Sequence, residues 1–125
     1  MTIADSDVLI DFLRGHEPGR SRVAFELSTG RLTTTSINAF ELLSGALAKR
    51  DQKKVSVLLD AMLVLPVEGR AAEVAARVRR DLEADGKGIG MADYLIAGVC
   101  LAHGATLLTR NLDHFRRVPD LQIGA

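Results

Sequence analysis

Short apolar runs alternate along the chain with apolar residues spaced as on one face of a helix. The runs predict β-strands, because a buried strand needs only a few apolar or β-branched residues between turn signals. The predicted strands cover residues 2–4, 32–35, 63–67, 105–108 and 121–123. Pro66 removes a backbone donor from the third run, which therefore predicts a short edge strand.

Stripes at helical spacing fill the intervals between these runs. The clearest stripe consists of Ala39, Leu42, Leu43, Ala46 and Leu47, which recur at the i, i+3, i+4, i+7, i+8 spacing of an amphipathic helix. Other predicted helices cover residues 8–13, 22–29, 55–62, 71–82 and 91–102, with Ser36 as the cap of the helix after the second strand and residues 49–54 as a charged break.

Strands separated by helices pair in parallel, so the expected fold class is α/β with helices covering a central sheet. We expect about four to five short strands in a single domain over residues 1–125, since no repeat or flexible linker divides the chain. In such sheets the functional residues gather beyond the carboxyl ends of the strands.

The amino-acid composition excludes several classes of protein. The 125 residues are 47% apolar and carry 16 basic and 16 acidic side chains, which excludes a disordered tail and bulk electrostatic coating of nucleic acid, but not a small specific site. No apolar run reaches the roughly 20 residues of a membrane helix. The single cysteine, Cys100, favours a core position and a reducing cytoplasm.

Oxygen-bearing side chains follow the predicted strands. Asp5 comes after the first strand, Glu41 lies early in the helix after the second, and Asp93 opens an otherwise apolar helix. Asn111 and Asp113 follow the fourth strand. Neighbouring carboxylates repel unless a cation neutralises them, and Mg²⁺ or Mn²⁺ prefers such oxygen ligands. This set predicts metal-assisted phosphodiester hydrolysis, although each acid alone could also serve as a helix cap.

Three segments resemble one family: ADSDVLIDFLRG, TTTSINAFELLSG and MADYLIAGVCLAHGATLLTRNLDHFRRVPDL. Together they resemble a PIN domain of the VapC type, the toxin of a VapBC toxin-antitoxin module, over residues 3–123. The resemblance implies a three-layer fold around a mainly parallel sheet. It also implies an endoribonuclease that uses Mg²⁺ or Mn²⁺, a VapB-type antitoxin partner and a homodimer.

By motif, Asp5, Glu41 and Asp93 match the first three acids of the family. Asn111 stands where many PIN domains have an acid, and Asp113 lies two residues later, so either residue could complete the catalytic and metal-binding set.

Four further side chains are candidates for supporting roles. Asp7 could act through a water molecule or cap the first helix, and Ser36 could bind a ligand carboxylate or cap its own helix. Thr109 and Arg110 lie at the end of the fourth strand, where Arg110 could contact RNA phosphate or pair with an acid. Asp11 and Asp60 are expected to be surface acids, and the three histidines lack the spacing of a zinc site.

Two other functions compete with the nuclease. A non-catalytic PIN-like binding module would retain the fold without cleavage, and the neutral Asn111 leaves this open. A phosphoacceptor domain resembling a response-regulator receiver would use Asp60 as its acceptor. That family carries a lysine after its penultimate strand, whereas this chain has lysines only at positions 49, 53, 54 and 87.

Overall fold

The computed structural model describes residues 1–124, which form a five-stranded, entirely parallel sheet with the order β3-β2-β1-β4-β5. The strands are β1 (Thr2–Ala4), β2 (Leu32–Thr35), β3 (Leu63–Leu65), β4 (Thr106–Leu108) and β5 (Gln122–Gly124). The predicted α/β class, parallel pairing and strand number are therefore confirmed, and β3 is an edge strand.

Within residues 1–124, seven helices connect and flank the strands. They are α1 (Ser6–Arg14), α2 (Gly19–Ser28), α3 (Ser36–Gly45), α4 (Lys49–Asp60), α5 (Gly69–Ala84), α6 (Met91–His103) and α7 (Leu112–Phe115). The predicted break at residues 49–54 is wrong, because these residues form the exposed first turns of α4, which buries only Val55 and Leu58. The cap of α3 is Thr35 rather than Ser36, since the Thr35 hydroxyl accepts from the Asn38 amide at 3.2 Å.

The two faces of the sheet carry separate hydrophobic cores. Ile3 and Leu107 point to the side covered by α5 and α6, whereas the next residues, Ala4 and Leu108, point to the side covered by α1 to α4. This is the alternation that a pleated strand imposes. The result is a three-layer arrangement of helices, sheet and helices.

Helices α5 and α6 pack at unusually close range. A Cβ atom on Gly98 would lie 2.5 Å from the backbone oxygen of Ala71 and 2.7 Å from the Cβ of Ala75, so only glycine allows this approach. The contact holds α6, which carries Asp93 in its first turn, firmly against α5. Within residues 1–124, no helix has the length and apolarity needed to cross a membrane.

The strand order places a topological switch beside β1. The chain leaves β1 toward β2 on one side and later returns to β4 on the other, so the connections after β1 and β4 diverge and open a crevice at their carboxyl ends. Asp5 extends the β1–β4 ladder by one bond, from its backbone N–H to the carbonyl of Leu108 at 2.9 Å. The residues that follow β1 and β4 are thereby held side by side.

Candidate active site

Asp5 is the buried centre of the polar crevice. It is the N-cap of α1, and the residue is only 7% exposed. Its Oδ1 accepts from the backbone amide of Ser6 at 2.8 Å and from Nδ2 of Asn38 at 3.0 Å. Its Oδ2 accepts from the hydroxyl of Thr109 at 2.6 Å. Donors from three separate segments therefore fix the orientation of this carboxylate.

Asn38 joins Asp5 to the second strand and is fully buried. Its Oδ1 accepts from the Thr35 hydroxyl at 2.6 Å, and its Nδ2 also donates to Oγ of Ser6 at 3.0 Å. Every polar atom of the amide side chain is thus hydrogen-bonded, as burial requires. The Ser6 hydroxyl in turn donates to Oε1 of Glu41 at 2.7 Å, which connects the exposed Glu41 to the same network.

The electrostatic environment of Asp5 disfavours its charge. Burial is the largest cause, and the negative charges of Asp7 and Asp93 add to it. Hydrogen bonds from Thr109 and the Ser6 amide act in the opposite direction but are outweighed, so the pKa of Asp5 rises from 3.8 to about 6.

Asp93 reaches the crevice from the first turn of α6. Its Oδ2 lies 2.7 Å from Nδ1 of His114, and this nitrogen also lies 3.2 Å from Nδ2 of Asn111. The structure therefore connects Asn111 to Asp93 through His114. Asp113, by contrast, is exposed, and it makes no side-chain hydrogen bond or ion pair within the described residues.

Asp7 in the first turn of α1 and Arg110 in the loop after β4 connect these two segments to each other. Oδ2 of Asp7 accepts from the backbone N–H of Arg110 at 2.9 Å. The guanidinium of Arg110 donates to both carboxylate oxygens of Asp11, at 2.7 and 3.2 Å. Asp11 is 7% exposed, so the expectation of a surface acid is wrong, and of the two alternatives for Arg110 this geometry shows pairing with an acid.

The structure also differs from the expectations for Ser36 and Asp60. The Ser36 side chain makes no hydrogen bond in the part of the chain that is described, and Ser6 is the serine that contacts a carboxylate. Asp60 is the exposed last residue of α4 and does not follow a strand, which contradicts its assignment as a phosphoacceptor in a receiver-like domain.

The donor set has the chemistry of a site for a hard divalent cation. Among residues 1–124, none of Asp5, Glu41 and Asp93 pairs with a lysine or arginine. Burial and the charges of Asp7 and Asp93 raise the pKa of Asp5, and a bound cation would favour its ionised form. All of the carboxylate and amide donors are oxygen atoms, as Mg²⁺ and Mn²⁺ prefer. No three His, Cys, Asp or Glu side chains in this range already enclose an ion position.

Sequence reasoning missed Ser6, Asn38 and His114. Asn38 lies three residues after the last residue of β2, at the same sheet edge as Asp5, and its position in the first turn of α3 was an available signal. His114 lies three residues after Asn111 in the segment that follows β4, so one helical turn brings the two side chains together.

Comparison with known proteins agrees with this architecture. The sequence model of the family described as "PIN domain" matches residues 2–121, nearly the whole chain. The chain belongs to the PIN-domain family. Within the family, this PIN domain is 30% identical over 112 residues to the tRNA(fMet)-specific endonuclease VapC of Salmonella typhimurium, covering 86% of this chain and 85% of that one. It is 29% identical to ribonuclease VapC19 of Mycobacterium tuberculosis, covering 98% of each chain.

A solved structure supports the same assignment. The PIN domain superposes on a chain of DNA-bound VapBC from Salmonella typhimurium with a TM-score of 0.87 and 26% identity, covering 98% of this chain and 96% of that one. The curated relatives are named VapC ribonucleases, so the chain is a PIN domain of the VapC type.

Proposed function

We propose that this protein is a metal-dependent endoribonuclease that acts in the cytoplasm as the toxin of a type II toxin-antitoxin system, with residues 1–125 forming one domain. The observation that carries the proposal is the buried Asp5, which lacks a lysine or arginine partner in residues 1–124 and carries a pKa raised by burial and by Asp7 and Asp93. A carboxylate in this environment is typical of a functional site.

The proposed ligands are Asp5, Glu41 and Asp93, with Asn111 or Asp113 completing the set. Asn111 is favoured over Asp113 because the His114 contacts join it to Asp93. Thr109, Asn38 and Ser6 hold the Asp5 carboxylate in one orientation, and Ser6 holds Glu41. A bound Mg²⁺ or Mn²⁺ would supply Lewis-acid stabilisation of the phosphodiester and activation of water.

RNA is the proposed substrate because the curated relatives are named as ribonucleases and a tRNA-specific endonuclease. The test is cleavage of a small-RNA and ribosomal-RNA mixture by antitoxin-free protein, with Mg²⁺, Mn²⁺ or chelator. We expect cleavage that requires metal and is lost in Asp5→Ala and Asp93→Asn. Asp60→Asn is the matched control, since Asp60 is an exposed acid at the end of α4.

The competing function, a non-catalytic binding module, predicts a different result in the same assay. Folded wild-type protein that binds RNA but cleaves none of it in any metal would favour that module. Equal cleavage by wild type and Asp93→Asn would also contradict the proposed ligand set.

A VapB-type antitoxin is the proposed partner, and an apolar groove of about 500 Å³ between α1, α2 and α4 is its proposed docking site. The groove is lined by Phe12, Leu13, Leu27, Arg50, Lys53, Lys54, Val57, Leu58 and Ala61. Its apolar floor and basic rim complement an amphipathic segment with acidic residues. A second groove shares Leu13 and Lys54 with it and extends to Glu41. This continuity would allow an antitoxin Arg or Lys to reach the acidic crevice.

The docking proposal is tested by titrating the cognate antitoxin into this protein in a calorimeter. Val57→Asp should weaken binding at least about tenfold, because it places a charge in the apolar contact. Leu63→Asp is the matched control, since Leu63 and Val57 are 57% and 61% exposed but Leu63 lies on the edge strand β3, outside the groove. Equal affinities for the two variants would contradict this docking site.

The homodimer is also a proposal. An exposed apolar row on and just after α3, formed by Phe40, Leu43 and Leu47, is its candidate contact surface. Phe40 and Leu43 lie on one face of α3, and Leu47 follows the end of this helix. An exposed apolar patch of this kind favours association. Light scattering should report a dimer for wild type and a monomer for Phe40→Asp. If the wild-type protein is monomeric at micromolar concentration, the proposed homodimer is contradicted.

A further inference from the structure

The Asp11–Arg110 pair unites two segments that are 99 residues apart in sequence. The guanidinium donates through Nε and Nη2 to the two carboxylate oxygens, a bidentate geometry that fixes both direction and distance. Asp11 is buried, whereas about half of the Arg110 side chain is exposed. The pair therefore attaches the loop after β4 to the second turn of α1.

A continuous series of contacts runs from this pair to the candidate ligands. The backbone N–H of Arg110 donates to Asp7, and the preceding residue, Thr109, donates its hydroxyl to Asp5. The backbone N–H of Asn111 donates to the Thr109 hydroxyl oxygen at 3.0 Å. Displacement of Arg110 would therefore move the donor to Asp5 and change the position of Asn111.

Gly19, the first residue of α2, leaves the space that the Asp11 side chain occupies when it pairs with Arg110. A Cβ atom on Gly19 would lie 2.6 Å from Cβ and 2.7 Å from Oδ2 of Asp11. Any side chain at position 19 would therefore push Asp11 away from Arg110. The close approach of α2 explains why a glycine occupies a helical position where it lowers helix propensity.

We propose that the Asp11–Arg110 ion pair is a positioning device for the active site, which sets the Thr109–Asn111 segment at the distance from α1 that metal binding and cleavage require. Neither residue touches the reacting atoms. The inference rests on the proposed function, and it is opposed to the alternative in which Arg110 binds RNA phosphate directly.

Three variants break the device in different ways. Asp11→Asn removes one charge, Arg110→Lys keeps the charge but loses the bidentate fork, and Gly19→Ala keeps both charges but displaces Asp11. Two matched controls are available. Arg79→Lys changes the exposed Arg79–Glu83 pair in the same way, and Gly69→Ala changes a glycine that also begins a helix but has no heavy atom near its added Cβ.

The measurements are Mn²⁺ affinity of the RNA-free protein by calorimetry, amide hydrogen exchange at Arg110 and Asn111, and kcat and KM for RNA. All three variants should weaken Mn²⁺ binding and lower kcat about tenfold or more, the usual effect of losing an outer contact to a ligand shell. Exchange at the two amides should accelerate while circular dichroism shows a folded protein and KM changes little. The two controls should match wild type.

The proposal is overturned if Asp11→Asn and Gly19→Ala bind Mn²⁺ as wild type does. It is also overturned if Arg110→Lys raises KM for RNA with kcat unchanged, because that pattern identifies a direct phosphate contact. Failure of the proposed nuclease function is distinguishable, since it appears as wild-type protein without metal-dependent cleavage. The exchange rates at Arg110 and Asn111 still report on the device in that case, and wild-type rates in all three variants would overturn it.

Discussion

The N-cap and the second turn of α1 carry two carboxylates of equal burial and opposite electrostatic surroundings. Asp5 and Asp11 are both 7% exposed. Asp11 receives a bidentate arginine, whereas Asp5 receives neutral donors and faces Asp7 and Asp93. A buried carboxylate without a cationic partner lowers stability, so its presence indicates a requirement other than folding. The difference separates the carboxylate that is paired within the structure from the one that we propose as a metal ligand.

The largest expected difference between the two carboxylates is in catalysis. Asp5→Asn should reduce RNA cleavage at least about 100-fold, because it removes a charged ligand, whereas Asp11→Asn should reduce it about tenfold. Initial rates at saturating Mn²⁺ measure both effects. Equal losses of cleavage rate in the two variants would contradict the distinction between Asp5 as a metal ligand and Asp11 as a positioning residue.

A metal should stabilise the protein through Asp5 and much less through Asp11. At a Mn²⁺ concentration of 100 times Kd, binding to the folded state contributes about 2.7 kcal/mol to the free energy of unfolding. Thermal unfolding with Mn²⁺ and with chelator should show this increase in wild type, and Asp5→Asn should abolish it. An unchanged increase in Asp5→Asn would remove Asp5 from the ligand set.

In chelator at pH 7.5, Asp5→Asn and Asp11→Asn should change the free energy of unfolding in opposite directions. A carboxyl whose pKa rises from 3.8 to about 6 costs the ionised folded state roughly 3 kcal/mol. The amide introduced at position 5 loses part of the hydrogen bonding to Thr109 and Asn38, so Asp5→Asn should stabilise by about 1–2 kcal/mol. Asp11→Asn should destabilise by about 1–3 kcal/mol, since it leaves Arg110 without its partner. Urea unfolding measures both.

The smallest effect concerns pH. Because its pKa is raised, the folded state holds the Asp5 proton more tightly than the unfolded state between pH 3.8 and about 6, so stability falls as pH increases through this window. The advantage of Asp5→Asn over wild type should therefore be largest above pH 6, disappear at about pH 5 and reverse by about pH 4. Urea unfolding of both proteins from pH 4 to 7.5 tests this, and a constant difference would contradict the cause assigned to the pKa.

The sequence predicted those features that depend on local patterns. Alternating strands and helices predicted the α/β class, the end of the first strand indicated Asp5, and the start of an apolar helix indicated Asp93. The strand order was not predictable, because it depends on pairing between distant segments. The start of α4 at Lys49 was missed for a local reason, since its first turns are charged and bury no apolar side chain.

The missed parts of the site depend on long-range partners. Asp11 has the sequence context of a surface acid, and only the approach of Arg110 and Gly19 explains its burial. His114 lacks zinc-ligand spacing, and its relevance comes from the position of Asp93 on a different helix. The assignment of Asn111 or Asp113 as a ligand stays a prediction.

The hydrogen bond from Thr109 to Asp5 spans 104 positions, and this distance has a consequence for biosynthesis. A ribosome releases the first strand before it has polymerised the fourth, so the acidic crevice is completed only after Thr109 has left the exit tunnel. Non-local contacts of this kind also form late in folding, because their loop closure is entropically costly. A translation product that stops before residue 109 therefore lacks both the Thr109 donor to Asp5 and the Asn111 side of the proposed site.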